Sequence, residues 1–323
     1  MGEFVIPAEI VRKVHGALSL RLDAELEKLS FGGPANAETV VDLSRLLKRQ
    51  PEASAHRDEL VRMVQDEQDP VTGLIRNQPE WICWPKALAE VTSTLRVLGA
   101  TLRYRVPELD ALADTDTLVA WVKSRNWDHP WGGATGSGHM VAGALFSMSD
   151  LGMLKAGALD AVFDVIDGLR DDTFGVWTKG RFDPANPGWV QLGGAFYFAM
   201  IYDRFKRPLD RPEGACRMLM EMQRKNPVGS FNSIPDRTWP FGSTDHDTLY
   251  VLLRNSRLDA ALRREVMPAV ERYARYFVQQ MGRDETFLID YPIPKILSLL
   301  RPVFPDPADD VPYWDYEMYK WVL

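Results

Sequence analysis

The stretch MEMQRKNPVGSF at 220–231 carries an amphipathic helix end closed by Gln, a short polar turn, a glycine and then an aromatic residue. The same phrase returns along the chain. It reads VQDEQDPVTGLI at 64–75, VKSRNWDHPWGG at 122–133 and VIDGLRDDTFGVW at 165–177, with a worn copy, VQQMGRDETFLID, at 278–290. The landmarks Gly73, Gly132, Gly175, Gly229 and Phe287 stand roughly 40 to 60 residues apart, the length of two helices and two loops. Such a period predicts helical hairpins packed one after another.

Working outward, apolar residues at helical spacing predict helices over 8–30, 37–49, 55–67, 85–104, 117–125, 138–152, 158–170, 191–205, 213–224, 245–255, 261–281 and 294–301. Thr115 or Asp116 is placed to cap the helix that starts at 117. Half-buried strand alternation never extends beyond a few residues. The segment 191–205 is apolar nearly all round, as a helix buried on every side reads. Apolar inner helices alternating with amphipathic outer ones predict an all-α fold, an α/α toroid of about five hairpins. The expected organisation is one domain, with N-terminal helices over 1–56, a repeat body over 57–302 and an aromatic tail over 303–323. Tyr313, Trp314, Tyr316, Tyr319 and Trp321 are too apolar for that tail to stay solvated.

Bulk properties narrow the function. The net charge is −7 and the isoelectric point about 5.4, with Lys and Arg scattered, so nucleic acid is not an expected partner. Cys83 and Cys216 are the only cysteines. They exclude a disulfide framework, offer no zinc-binding pair, and read as reduced, buried thiols. Residues 1–30 read as a charged amphipathic helix rather than a secretion signal, and no apolar run is long enough to span a bilayer. A cytoplasmic setting is the expectation. Ten Trp, most of them at or just after the repeat turns, serve either as clamps between hairpins or as the lining of a cavity.

The repeat phrase resembles the turn motif of the terpenoid cyclase and protein prenyltransferase toroids, in which a Gln at a helix end precedes Gly-x-aromatic. Gln223 with Gly229-Ser230-Phe231 matches best, Gln68 with Gly73-Leu74-Ile75 less well, and Gly175-Val176-Trp177 keeps the second half. The resemblance covers roughly 57–290. It implies a toroid whose central cavity encloses an apolar substrate. The chemical motifs of those enzymes are absent. Asp245-His246-Asp247-Thr248 stands where Asp-x-Asp-Asp would, no Asp-Asp-x-x-Asp exists, and Asp245-x-Asp247 lacks the thiol of a prenyltransferase zinc site.

In a closed ring the starts of the inner helices collect around one mouth. They bring Trp84 and Lys86, His139, Gln191, and then Asp245, His246, Asp247 and Tyr250. Helix N-termini there favour an anionic group. Asp245, His246 and Asp247 form the densest titratable cluster, and three readings stand side by side. They can be a helix cap with acids complementing the dipole or an acid–base pair in which carboxylate and imidazole tune one another, or Asp245 and Asp247 can join a third ligand such as His139 to bind a divalent metal. The first two are carried forward and no cofactor is expected. Trp84, Trp127, Trp131, Trp189 and Trp239 are loop-proximal aromatics that around a cavity can stack on sugar rings or stabilise cations, and Tyr197, on the 191–205 helix, is a further binding candidate. The glycine-rich run 132–138 before His139 lacks the Gly-Lys-Ser/Thr of a phosphate loop.

Three functions fit. The first is a toroid enzyme that encloses a largely apolar small molecule and acts by acid–base chemistry, cyclase-, isomerase- or lyase-like. Asp245 or Asp247 would move the proton and His246 or His139 would relay it. The second is a glycan-processing hydrolase or lyase, and the third a non-catalytic binding scaffold.

Overall fold

The computed structural model is helical, with fourteen helices and no strand among the described residues. Those residues are 4–31, 33, 35–76, 78, 82–130, 136–172, 174–177, 189–224, 230–231, 241–283, 288 and 292–312, with the backbone alone described at 189–191. The helices are α1 (Ala8–Ser30), α2 (Ala37–Leu46), α3 (Gln50–Ser54), α4 (Arg57–Asp66), α5 (Trp84–Val97), α6 (Pro107–Ala111) and α7 (Thr115–Lys123). They continue as α8 (Ser137–Asp150), α9 (Ala158–Gly168), α10 (Trp189–Arg204), α11 (Pro212–Arg224), α12 (Ser243–Asn255), α13 (Ala260–Met281) and α14 (Pro292–Leu300).

The departures from the sequence reading have local causes. Between the helices predicted over 37–49 and 55–67 the chain forms a further short helix, α3, through Pro51. The proline sits in the first turn of α3, where a missing N–H costs nothing. The helix predicted over 85–104 stops at Val97, because Gly99 takes a left-handed φ of 64° and reverses the chain. The cap of α7 is Asp114, whose carboxylate accepts the Thr117 N–H at 2.9 Å, not Thr115 or Asp116. Helix α6 was not foreseen. Pro107 opens it and it closes within five residues.

The repeat phrase has a physical meaning. Gln68 is buried at the end of its helix. Its amide N–H groups donate to the carbonyls of Gly73 (2.8 Å) and Tyr104 (3.1 Å), and its oxygen accepts the N–H groups of Arg103 (2.7 Å) and Tyr104 (3.1 Å). One side chain therefore closes its own turn and fastens the chain that leaves the next helix. Gln223, also buried at the end of its helix, donates to the Ala269 carbonyl on α13 at 2.9 Å. Gly73 takes φ +71°, and a Cβ there would lie 1.9 Å from the Arg105 carbonyl oxygen, so only glycine fits. Trp127 and Trp177 are buried clamps. Their indole N–H groups donate to Val122 (3.0 Å) and Ile166 (2.8 Å), folding the turn back on the helix just ended. Gly132, Gly229 and Phe287 lie outside the described residues.

The chain gathers into two compact units, one built on the first part of α1 with α10–α14, the other on α2–α9. In the second unit α5 lies along α8, and α7 along α9. In the first, α10, α12 and α14 form a row, and α11 and α13 flank α12. Each unit has helices buried along most of their length. Every residue of α14 is buried, as is α8 from Ser137 to Met148. A helix buried all round is apolar all round, which is how 191–205 reads.

The start of the tail is pinned to the N-terminus. Ile6 N–H donates to Phe304 O (2.9 Å), Ala8 N–H to Asp306 (2.9 Å), and Arg12 pairs with Asp310. The aromatic residues from Tyr313 onward lie outside the described residues. No helix among the described residues is long and apolar enough to cross a membrane.

Candidate functional site

Helix α12 carries the cluster that the sequence singles out, and the structure gives its members different tasks. Asp245 lies in the first turn, wholly buried. One of its oxygens accepts the Ser230 hydroxyl (2.9 Å) and the Phe231 N–H (2.8 Å), and the other accepts the Gly242 N–H (3.0 Å). Gly242, the capping position, has no side chain, and this carboxylate accepts its N–H and ties residues 230–231 to the helix start. That is the capping reading of Asp245, extended to a clamp. Tyr273 on α13 stacks on Phe231 at 5.1 Å. Burial, then the neighbouring Asp245 carboxylate, push its phenol well above the ordinary range.

His246 and Asp247 form the second part. Imidazole Nδ1 lies 2.7 Å from Asp247 Oδ1, and both side chains are almost completely buried, at 3% and 4% exposure. The edge of Phe196, on α10, meets the His246 ring at 5.8 Å and the Tyr250 ring at 5.6 Å. The imidazole is held neutral. Burial, followed by the ammonium of Lys295, drives its pKa well below the ordinary value, outweighing the pull of a single carboxylate. Lys295, on α14, is 1% exposed. Thr248 Oγ1, two residues past His246, is buried and has no hydrogen-bond partner among the described residues.

Tyr250 is committed elsewhere. Its hydroxyl donates to Asp203 on α10 at 2.8 Å, and Asp203 also pairs with Arg254 and Arg257. Burial, then Asp203, raise the phenol's pKa far above normal. Tyr197 is buried against Phe196 at 5.2 Å. Asp245, His246, Asp247, Tyr250 and Tyr197 thus gather in one unit. Trp189 and Gln191 start α10 in the same unit, with side chains outside the description, and Trp131 and Trp239 lie outside the described residues.

The other unit holds Trp84, Lys86 and His139. Trp84 opens α5 and is half-buried, while Lys86 is buried with its ammonium 3.9 Å from Glu90 one turn on. A Cβ on Gly143 would lie 2.4–2.6 Å from the backbone of Pro85 and Lys86, so α8 and α5 touch there. His139, buried and four residues before Gly143, shares that face of α8. Burial pushes the Cys83 thiol up to about 11 and the Cys216 thiol up to about 12, which removes both as nucleophiles at neutral pH. Among the described residues no three His, Cys, Asp or Glu side chains gather as metal ligands.

Two features escaped the sequence reading. Lys295 is the one charged residue in Pro292–Leu300, and a charge in an otherwise apolar segment was the available signal. The other is a cleft of about 470 Å³ lined by Glu25, Lys28, Glu38, Met63, Asp66 and Glu67. There burial, then the Glu67 charge, raise the Glu38 carboxyl to about 7. No protein-family model, curated protein or solved structure matches this chain.

Proposed function

We propose that this chain is an enzyme that encloses a largely apolar small molecule and acts on it by acid–base chemistry, isomerase-, lyase- or cyclase-like. Ring closure of the hairpins into an α/α toroid of the terpenoid cyclase type belongs to the same proposal. The repeat phrase and the row of buried helices α10, α12 and α14 support it. The observation that carries the reading is the 2.7 Å contact between His246 and Asp247, buried against Phe196. Ionisable groups are rarely kept in an apolar interior without a task, and a carboxylate that orients an imidazole equips it to move protons. Asp245 has a different part here. Its three donors make it the support that fixes the start of α12, and Asp247 takes the acid–base position.

The test is turnover of apolar acyclic substrates, squalene, geranylgeraniol and citral, followed by mass spectrometry for isomers of unchanged formula or for elimination products. His246→Gln and Asp247→Asn should each lower the rate by about 100-fold or more with the melting temperature unchanged. Full activity in both variants would end the proposal.

A glycan-processing hydrolase or lyase is favoured by one observation, the Glu38–Glu67 cleft, because a carboxyl that holds its proton near neutrality suits a general acid. The lining has no aromatic ring on which a sugar can stack, so this reading ranks second. Release of nitrophenol from aryl glycosides, lost in Glu38→Gln, would reverse that order.

A further inference from the structure

Helix α13 meets the N-terminal segment at a groove of about 440 Å³, lined by Phe4, Arg272, Arg275, Tyr276, Val278 and Gln279, all within one compact unit. Arg272, Arg275, Tyr276 and Gln279 recur at i, i+3, i+4 and i+7, one stripe along the helix. Both of its aromatic rings are held in place. Phe4 is half-buried, and its ring meets that of Phe304 edge-on at 5.2 Å. Two residues on, the Ile6 N–H donates to the Phe304 carbonyl at 2.9 Å, which fixes the segment that carries Phe4. Tyr276, also half-buried, packs its ring against Phe241 at 6.1 Å and Tyr273 at 6.0 Å. A wholly solvated face of an outer helix needs no aromatic ring laid against it.

The two guanidiniums of the groove differ. Arg275 is committed, since its Nε donates to Glu271 at 2.9 Å and its guanidinium lies 4.5 Å over the Phe4 ring. Arg272 keeps its charge unpaired. Among the described residues it meets no carboxylate, and its one hydrogen bond runs from Nη1 to Gln223 Oε1 at 3.4 Å. Gln223 is buried and anchored on the Ala269 carbonyl, so it orients the guanidinium without neutralising it. None of the six lining residues is acidic. Burial, then the Asp245 charge, push the Tyr276 phenol up to about 12, so the phenol adds no charge at neutral pH. In a chain of net charge −7, this groove carries a local surplus of positive charge beside two aromatic rings.

We infer that this groove binds an apolar monocarboxylate, with the carboxylate on Arg272 and the hydrocarbon body against Phe4, Tyr276 and Val278. The planar fork of a guanidinium matches the two oxygens of a carboxylate and donates to both at once. A phosphate monoester brings close to two charges and three acceptor oxygens, and would need a second uncommitted cation. Arg275 does not supply one, because Glu271 and Phe4 already hold it. A highly hydroxylated acid would leave the Phe4 and Val278 surfaces without an apolar partner. The volume suits a small molecule rather than a long chain. Arg272, Arg275 and Gln279 are exposed, so a ligand reaches the groove without any opening of the core. The inference does not depend on the acid–base role proposed for His246 and Asp247.

The test is a ligand-observed NMR titration of the full chain with naphthoate, naphthamide and inorganic phosphate. Naphthoate should bind with a Kd of about 1 mM or below. Naphthamide, which has the same rings and no charge, and phosphate, which has charge and no rings, should each bind at least about tenfold more weakly. Arg272→Gln, an exchange at an exposed position whose fold is checked by an unchanged melting temperature, should weaken naphthoate by about tenfold or more. Phe4→Ala should weaken it by about threefold or more. His246→Gln should leave the affinity where it is, which separates this groove from the buried pair on α12. Naphthamide or phosphate binding as tightly as naphthoate overturns the inference. So does an unaltered affinity in Arg272→Gln, or the absence of naphthoate binding in wild type up to about 10 mM.

Discussion

Asp245 commits two carboxylate oxygens to three donors, and that commitment separates its role from that of its neighbour two residues on. Replacing it with Ala strands the Ser230 hydroxyl and the N–H groups of Phe231 and Gly242 in a buried setting. Asp245→Ala should therefore cost about 3 kcal/mol in urea unfolding. Asp245→Asn, which keeps the shape and loses one acceptor, should cost about 1–2 kcal/mol. Asp247→Asn is expected to do the opposite, removing turnover and leaving the urea midpoint nearly in place. Equal destabilisation by both would erase the distinction between support and proton carrier. Gln68 invites the same experiment, since its amide makes four hydrogen bonds to backbone groups around two turns. Gln68→Ala should cost about 2 kcal/mol, and Gln65→Ala, at a less buried position one hydrogen bond from Thr101, much less. In the sequence the Gln is legible as a repeated letter. What it holds is not legible, because its partners at residues 103 and 104 lie a whole helix away.

At the scale of helices, a close joint lies where α8 meets the start of α5. Gly143 has Pro85 and Lys86 backbone atoms within 2.6 Å of any added Cβ, and backbone cannot yield as a side-chain end can. Gly143→Ala should force the two helices apart at about 3 kcal/mol or abolish folding. Gly16, in the interior of α1, has nothing within 4 Å, so Gly16→Ala should stabilise by up to about 1 kcal/mol through helix propensity alone. A small, equal effect of the two substitutions, measured by denaturant unfolding, would contradict the close approach. Nearly every helix longer than one turn was legible, because burial on one face writes a period of about 3.6 into the chain. The ends were less so. Gly99 ends α5 through its backbone conformation, and Asp114 caps α7 from outside the apolar period. Lys295 went unread for a related reason. Its helix is nine residues with two prolines, too short to announce a face, and only packing against α12 tells which residues its charge meets. Asp245, His246 and Asp247 were legible as a group because they are consecutive. Their division of labour depends on Ser230, Phe231 and Gly242, which no local pattern connects to them.

At the scale of the molecule, each compact unit keeps a titratable group out of its ordinary range, and the two act on stability with opposite sign. His246 is depressed below 6.5 in the folded chain. The unfolded chain binds that proton more readily, so stability is complete above pH 6.5 and is lost as pH falls below it, with a slope of at most about 1.4 kcal/mol per pH unit. Glu38 is raised from 4.5 to about 7. The folded chain holds that proton more tightly, so its contribution is full below pH 4.5 and fades as pH rises to 7. Allowing for solvent around a half-buried side chain, the fading amounts to about 1–2 kcal/mol. Between pH 4.5 and 6.5 the two slopes oppose, and wild-type stability should be nearly flat. Glu38→Gln removes one of them. Its stability should climb steadily from pH 4.5 to 6.5 and then level, and at pH 7 it should exceed wild type by the amount that ionised Glu38 costs beside Glu67. Urea unfolding at half-unit pH steps reads the slopes, and calorimetry shows whether both belong to one transition or each to its own unit. A Glu38→Gln profile parallel to wild type across that window would mean that Glu38 titrates as an ordinary surface acid and that the cleft between Glu38 and Glu67 is wet.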